Sequence, residues 1–212
     1  SVMNYTELKT AIQDYTQSSE TSFVTNIDTF IAQAENRLFF DIDVPDFHKN
    51  VTGTMTTSNT YLQKPSDLFK VYSLAVIQTG NVYKYLLPKD VSFIREAFPD
   101  ADDTGLPTHY GNFDEEFFIV GPAPDQDYSV ELHYKFQPDT LSSTNANSWF
   151  GDNAEAALLY ATLVEAYTYL KGEADIMTMY NNRYTAALQS LQRYGAADVN
   201  MDSYRNTMRR TA

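Results

Sequence analysis

The chain has 212 residues, 43% of them hydrophobic and 14% aromatic, enough apolar mass for one compact unit or two lobes with a real core. It contains no cysteine, which excludes disulfides, thiolate zinc sites and cysteine nucleophiles while leaving the redox compartment open. With 28 acidic against 15 basic side chains the net charge is -13, so attraction to a phosphate backbone is not a source of affinity; a wall that DNA slides past without sticking would carry this sign.

The opening Ser1 to Glu7 lacks a basic stretch followed by an apolar one, and no apolar run approaches a membrane span, so a soluble chain outside the classical secretion route is expected. Asn4 with Glu7 three residues on forms a capping box, and Leu8, Ile12 and Tyr15 follow at helical spacing up to the Ser/Thr-rich turn Thr16 to Ser22. From Asn26, the residues Ile27, Phe30, Ile31, Ala34 and Leu38 trace a second helical stripe ending near Phe40, before Val44-Pro45.

Between Val51 and Phe136 the pattern changes to short β-branched and aromatic runs. Strands are predicted at Val51 to Thr57, Tyr61 to Gln63, Phe69 to Ile77, Val82 to Leu86, Thr108 to Phe113, Glu116 to Val120 and Tyr128 to Phe136. Gln78 to Asn81 and Asp114-Glu115 read as hairpin turns, and connections this short impose antiparallel pairing. Asp90 caps one inserted helix carrying Phe93, Ile94 and Phe98, ended by Pro99.

Asp152 with Glu155 reads as a further cap, opening a helix that carries Leu159, Leu163, Ala166 and Leu170 and ends at Lys171-Gly172. Its partner runs from Glu173 to Tyr194, with Gly195 placed as the residue after its end. Residues 196-212 show no amphipathic period, carry Arg205, Arg209 and Arg210, and are expected to form a mobile, extended tail. The order is α+β: a helical bundle lobe from 1-50 and 137-195, an antiparallel β lobe at 51-136 with one inserted helix, and a docking tail at 196-212.

Chemical motifs are absent: there is no phosphate-binding glycine loop and no nucleophile elbow. His48, His109 and His133 lie too far apart for a local metal motif, and His109 and His133 meet only if their strands pair, so hydrogen-bonded strand residues are the favoured reading. Asp41-Ile42-Asp43, Asp100 to Asp103 and Asp114 to Glu116 read as solvated turns, because the glycine and distal glutamate of a calcium loop are missing and consecutive acids offer no acid/base asymmetry. No catalytic, cofactor-binding or metal-ligating residue is assigned. The informative excess is 16 tyrosines, with Tyr160, Tyr167, Tyr169, Tyr180, Tyr184 and Tyr194 gathered in the last helices. Contact with another subunit and packing at the edge of the chain's own core both account for them.

Several segments carry a family likeness. They are Tyr5 to Leu8 with Ala11 to Tyr15, Phe30 to Leu38, Leu62 to Leu68, Tyr83 to Arg95, Val120 to Pro124, Asp152 to Tyr160, Glu165 to Tyr167 and Lys171 to Glu173. Together they resemble the head-to-tail adaptor, or neck, proteins of tailed bacteriophages, over nearly the whole chain and without a chemical signature. The resemblance implies a twelve-subunit ring in the virion neck, assembled in the bacterial host cytoplasm. Its implied partners are further copies of itself, the portal protein and a tail nozzle or tail-tube protein; DNA passes through without tight binding, and no membrane or cofactor is involved. It further implies that a carboxy-terminal segment reaches the portal or a neighbouring subunit, which makes Tyr204, Arg205, Arg209 and Arg210, with Tyr180 and Tyr184, the candidate partner-binding residues. The alternative is a carbohydrate- or receptor-binding tail accessory using tyrosines and Trp149, and a metal-dependent hydrolase ranks last.

Overall fold

A computed structural model describes residues 2-208. In chain order the elements are α1 (Tyr5–Thr16), α2 (Thr21–Asp41), a 3-10 turn (Pro45–Phe47), β1 (His48–Met55), β2 (Tyr61–Gln63), β3 (Leu68–Gln78), β4 (Val82–Tyr85), β5 (Leu87–Pro88) and α3 (Val91–Ala97). There follow β6 (Thr104–Gly105), β7 (His109–Asn112), β8 (Phe117–Gly121), β9 (Ala123–Pro124), β10 (Tyr128–Phe136), α4 (Trp149–Asn153), α5 (Glu155–Tyr169) and α6 (Ala174–Met208). The fold class is α+β, and the chain divides into two compact units: a helical one from 1-46 and 138-212, and a β-rich one from 47-137.

In the helical unit, Asn4 accepts from the Glu7 N–H and the Glu7 carboxylate accepts from the Asn4 N–H, both at 2.9 Å, closing the expected capping box. Helix α2 begins at Thr21, five residues before Asn26, because Phe23 is already part of its buried stripe. The Thr25 hydroxyl and the Asn26 amide donate back to the carbonyls of Thr21 and Ser22, so polar residues that usually favour turns are absorbed into the first turns of the helix. Leu8 and Ile12 of α1, Ile27, Ile31 and Leu38 of α2, and Leu158 and Leu163 of α5 are all fully buried. Each such side chain contributes on the order of 1.5–3 kcal/mol relative to exposure.

Two expectations for the last helices are corrected. Asp152 does not cap a long helix: it lies inside the five-residue α4, whose cap is Ser148, and α5 starts at Glu155 without a side-chain cap. Gly195 does not end α6, which stays helical to Met208, so the described part of 196-212 is not an extended tail. A glycine inside a helix costs only about 1 kcal/mol, and the Ala196-Ala197 pair that follows favours continuation.

The β unit is a pair of four-stranded sheets, ordered β1-β10-β3-β4 and β2-β8-β7-β5, with a two-stranded β6-β9 pairing beside them. The long strands pair antiparallel, as the short connections require, while β5 joins β7 and β6 joins β9 in short parallel pairs. Leu74 and Val76 of β3, Val130 and Leu132 of β10, and Phe118 and Val120 of β8 alternate inward into one core. The β3–β4 hairpin turns through Gly80 and Asn81 with φ of 83° and 58°, a left-handed pair that suits these two residue types.

Between β10 and α4 the chain runs without regular structure from Gln137 to Ser148, and Glu35 of α2 holds this run in place. Its carboxylate is 1% exposed and accepts from the Leu141 N–H at 2.9 Å and from the Ser148 hydroxyl at 2.8 Å. The Ser148 oxygen in turn accepts from the Gly151 N–H, the Gly151 carbonyl accepts from the Met3 N–H at 3.0 Å, and the Ala146 carbonyl accepts from the Tyr5 N–H at 2.9 Å. Burial outweighs both donors and pushes the Glu35 carboxyl up from 4.5 to about 7.

The folded chain keeps the Glu35 proton where the unfolded chain has lost it, so this group's stabilisation is full below about pH 4.5 and is lost as pH rises to about 7, by something on the order of 3 kcal/mol. Urea unfolding of Glu35→Gln should lack that slope, and Glu35→Leu, which strands two buried donors, should be weakened by about 2 kcal/mol or more at acid pH too. A β-carbon at Gly151 would overlap the Met3 carbonyl oxygen, so Gly151→Ala should cost about 1–3 kcal/mol in the same measurement.

Candidate partner-binding surfaces

No chemical centre assembles from the residues singled out in the sequence. Among the described residues no group of three or more His, Cys, Asp or Glu side chains is placed to hold a metal ion. His109 and His133 stand in different sheets and do not meet. His133 instead lies 5.7 Å from the His48 ring and 5.5 Å from Tyr72, while His109 packs between Phe93 and Phe98 and shares a 2.7 Å hydrogen bond with the Thr108 hydroxyl.

The acidic runs are occupied structurally. Asp100 closes its own turn by accepting from the Asp102 N–H, and Asp114 accepts from the N–H groups of Glu116 and Phe117 at the β7–β8 hairpin. Asp41 accepts from the Tyr184 hydroxyl at 2.6 Å, and the Arg37 guanidinium sits 4.0 Å from the centroid of that tyrosine ring. Arg37 also donates to Asn181, so the end of α2 is fastened to α6 by a cation, a carboxylate and a phenol together. Burial, reinforced by the Asp41 hydrogen bond, drives the Tyr184 hydroxyl far above its ordinary pKa.

Tyr180 and Tyr184, named as partner-binding candidates, both lie inside the helical unit. Both are buried, at 7% and 1%, and Tyr180 lies among the rings of Tyr15, Tyr160 and Tyr167, where burial and then the Tyr167 hydrogen bond push its pKa up to about 12. Of the tyrosines of the last helices, Tyr180 and Tyr184 are spent inside the bundle, while Tyr169 is 43% exposed. Trp149 is committed within its own unit as well: its indole N–H donates to Asp46 at 2.7 Å and its ring meets Phe150 edge-on.

Tyr204 and Arg205 fall on the last part of α6, and Arg209 and Arg210 lie outside the described residues. The Gln192 amide donates to the carbonyl of Asp41, the last residue of α2. From there α6 continues to Met208, about 24 Å at 1.5 Å per residue.

Sequence reasoning missed the exposed apolar surface of the β unit. Val82, Tyr83, Tyr85 and Leu87 are exposed at 55, 44, 62 and 58%, and Tyr61, Phe93 and Phe113 are about two-fifths exposed. Arg95 lies over Phe113 and Lys89 over Phe93, the aromatic–cation composition common where proteins meet. The only signal in the sequence was the run Val82-Tyr83-Lys84-Tyr85-Leu86-Leu87, apolar on both faces of a strand that should bury one. A cleft of about 1120 Å³ in the same unit is lined by Lys64, Lys70, Lys89, Glu115 and Glu116, a charged lining unlike the apolar, enclosed sites that take small ligands.

Among the described residues no helix is long and apolar enough to cross a membrane. No curated protein matches this chain. The SU10 adaptor protein model matches residues 3–211, and the chain belongs to that family of phage head-to-tail adaptors.

Proposed function

We propose that the protein is a structural component of the virion neck, a ring of twelve copies that joins the portal to the tail and leaves an axial channel for the genome. The family match over residues 3–211 carries the reading. In it the subunit performs no catalysis; its partners are neighbouring copies, the portal above and a nozzle or tail-tube protein below, and assembly takes place in the host cytoplasm. The net charge of -13 supports the channel, since a ring of such subunits repels the DNA backbone and lets it pass. A head-to-tail interface that closes on itself gives the ring, with each subunit presenting two different surfaces.

The carboxy-terminal part of α6 is the proposed portal strap, with Tyr204, Arg205, Arg209 and Arg210 as its docking side chains. Its support is the reach of the helix past the end of α2, together with the basic end of the sequence. Mixing the full chain with its cognate portal and imaging the product by electron microscopy tests the reading. A ring seated under the portal is expected, and a chain that stays monomeric and never docks overturns it.

Deletion of residues 196-212 should leave the melting temperature within a few degrees of the full chain, because the hydrogen bonds from Tyr184 and Gln192 that fasten α6 to Asp41 lie before the cut. The same deletion should abolish docking to the portal in a sedimentation assay, and undiminished docking would move the interface elsewhere.

A further inference from the structure

The sheet ordered β1-β10-β3-β4 ends in a bare edge on each side, and hydrogen-bond parity fixes which groups each edge offers. The Leu86 N–H donates to the Leu74 carbonyl in the register that pairs Val76 with Lys84 and Gln78 with Val82. Residues in an antiparallel strand turn their backbone groups alternately to either side, so Val82, Lys84 and Leu86 face β3 while the N–H and C=O of Tyr83 and Tyr85 face outward. Carried across the regular pairing of β3 with β10 and of β10 with β1, the same alternation turns Asn50, Thr52 and Thr54 outward on the far edge.

We propose that β4 of one subunit pairs antiparallel with β1 of the next copy, so that a continuous sheet stitches the ring. This rests on the adaptor-ring reading and names the contact that closes it. Three successive antiparallel pairings make β1 and β4 run in opposite directions, so β4 against a copy's β1 continues the alternation of the sheet. Each subunit then spends one edge of each kind, as head-to-tail closure requires, whereas β4 against β4 would make a dimer and leave β1 bare.

The side chains fit this occupant. All four residues of β4 are exposed and carry one charge, Lys84, and facing Val51 or Gly53 of the copy that lysine meets no like charge. The tyrosines of β4 come opposite the hydroxyl-bearing Thr52 and Thr54 or Asn50, pairs that suit a sheet. A single edge lysine is also a guard against indiscriminate pairing, but here Val82, Tyr83, Tyr85 and Leu87 surround it with exposed apolar surface.

The absence of cysteine makes the test clean. Non-hydrogen-bonded pairs bring opposed side chains closest, so Lys84→Cys is combined with Gly53→Cys, and in a second variant with Val51→Cys for the register two residues along. A β-carbon at Gly53 meets Val130 at 3.6 Å, an ordinary contact, so the substitution is accommodated. Each full-length variant is assembled on the portal, oxidised and run on a denaturing gel beside its single-cysteine parents. A ladder of covalent multimers in one double variant, absent from the parents, is expected. Rings visible by microscopy with neither double variant cross-linked overturn the edge pairing and leave the adaptor reading standing. Failure of the unmodified chain to form any ring on the portal removes the adaptor reading and this proposal with it.

Tyr85→Pro gives an independent check, since the N–H it removes points away from β3. It should fold, by circular dichroism, yet no longer close a ring, and normal rings from a folded Tyr85→Pro chain would likewise overturn the proposal.

Discussion

The helical unit depends on one buried carboxylate. Glu35 sits among apolar side chains on the inner face of α2, where an ionised group is costly, and the Leu141 N–H and the Ser148 hydroxyl both donate to it. Those two donors belong to the irregular run that brings the chain back from β10 to its last helices. From there the dependence spreads outward: Ser148 caps α4, and Gly151 and Ala146 receive the amino-terminal segment. Three stretches distant in sequence, residues 3-5, Glu35 and residues 141-151, share one small polar core, and each is positioned by the acceptor the previous one provides.

The far end of the bundle is held by a different device. Arg37, Asp41 and Tyr184 link α2 to α6 through a stacked cation and a short hydrogen bond, in place of the aliphatic packing that joins α2 to α5. The polar groups of this link are half in water, so it fixes the alignment of the two helices more than it adds stability. Alignment matters because α6 continues beyond it to Met208, and Tyr184 and Gln192 are where the helix meets the end of α2.

The β unit combines a closed core with a partly apolar surface. Its core is closed by inward alternation on three long strands, yet its surface keeps large apolar side chains in water at β4 and around Phe93 and Phe113. Such surface carries a solubility cost in an isolated chain and loses it only when covered. Titratable side chains are meanwhile committed to turns, caps and helix joints, as Asp100, Asp114 and Asp41 illustrate.

Local rules were enough for much of the fold. Strands β2 and β10 run over the residues that the alternation of side chains predicts, and the capping box at Asn4 and the cap at Asp90 are local chemistry that no distant contact alters. The adaptor family was legible too, because it rests on a pattern spread over the whole chain. What needed the tertiary structure was every question of choice between partners. Whether Thr21 joins a helix was decided by the burial of Phe23, and whether Tyr180 and Tyr184 face a neighbour or a core was decided by Tyr15, Tyr160 and Asp41 arriving from elsewhere. The sequence by itself determined the elements, their order and the excess of aromatic surface, since these follow from spacing and composition. Only the fold decided which of that surface is spent inside and which, at β4, is left over for another molecule, because that depends on which strand ends the sheet.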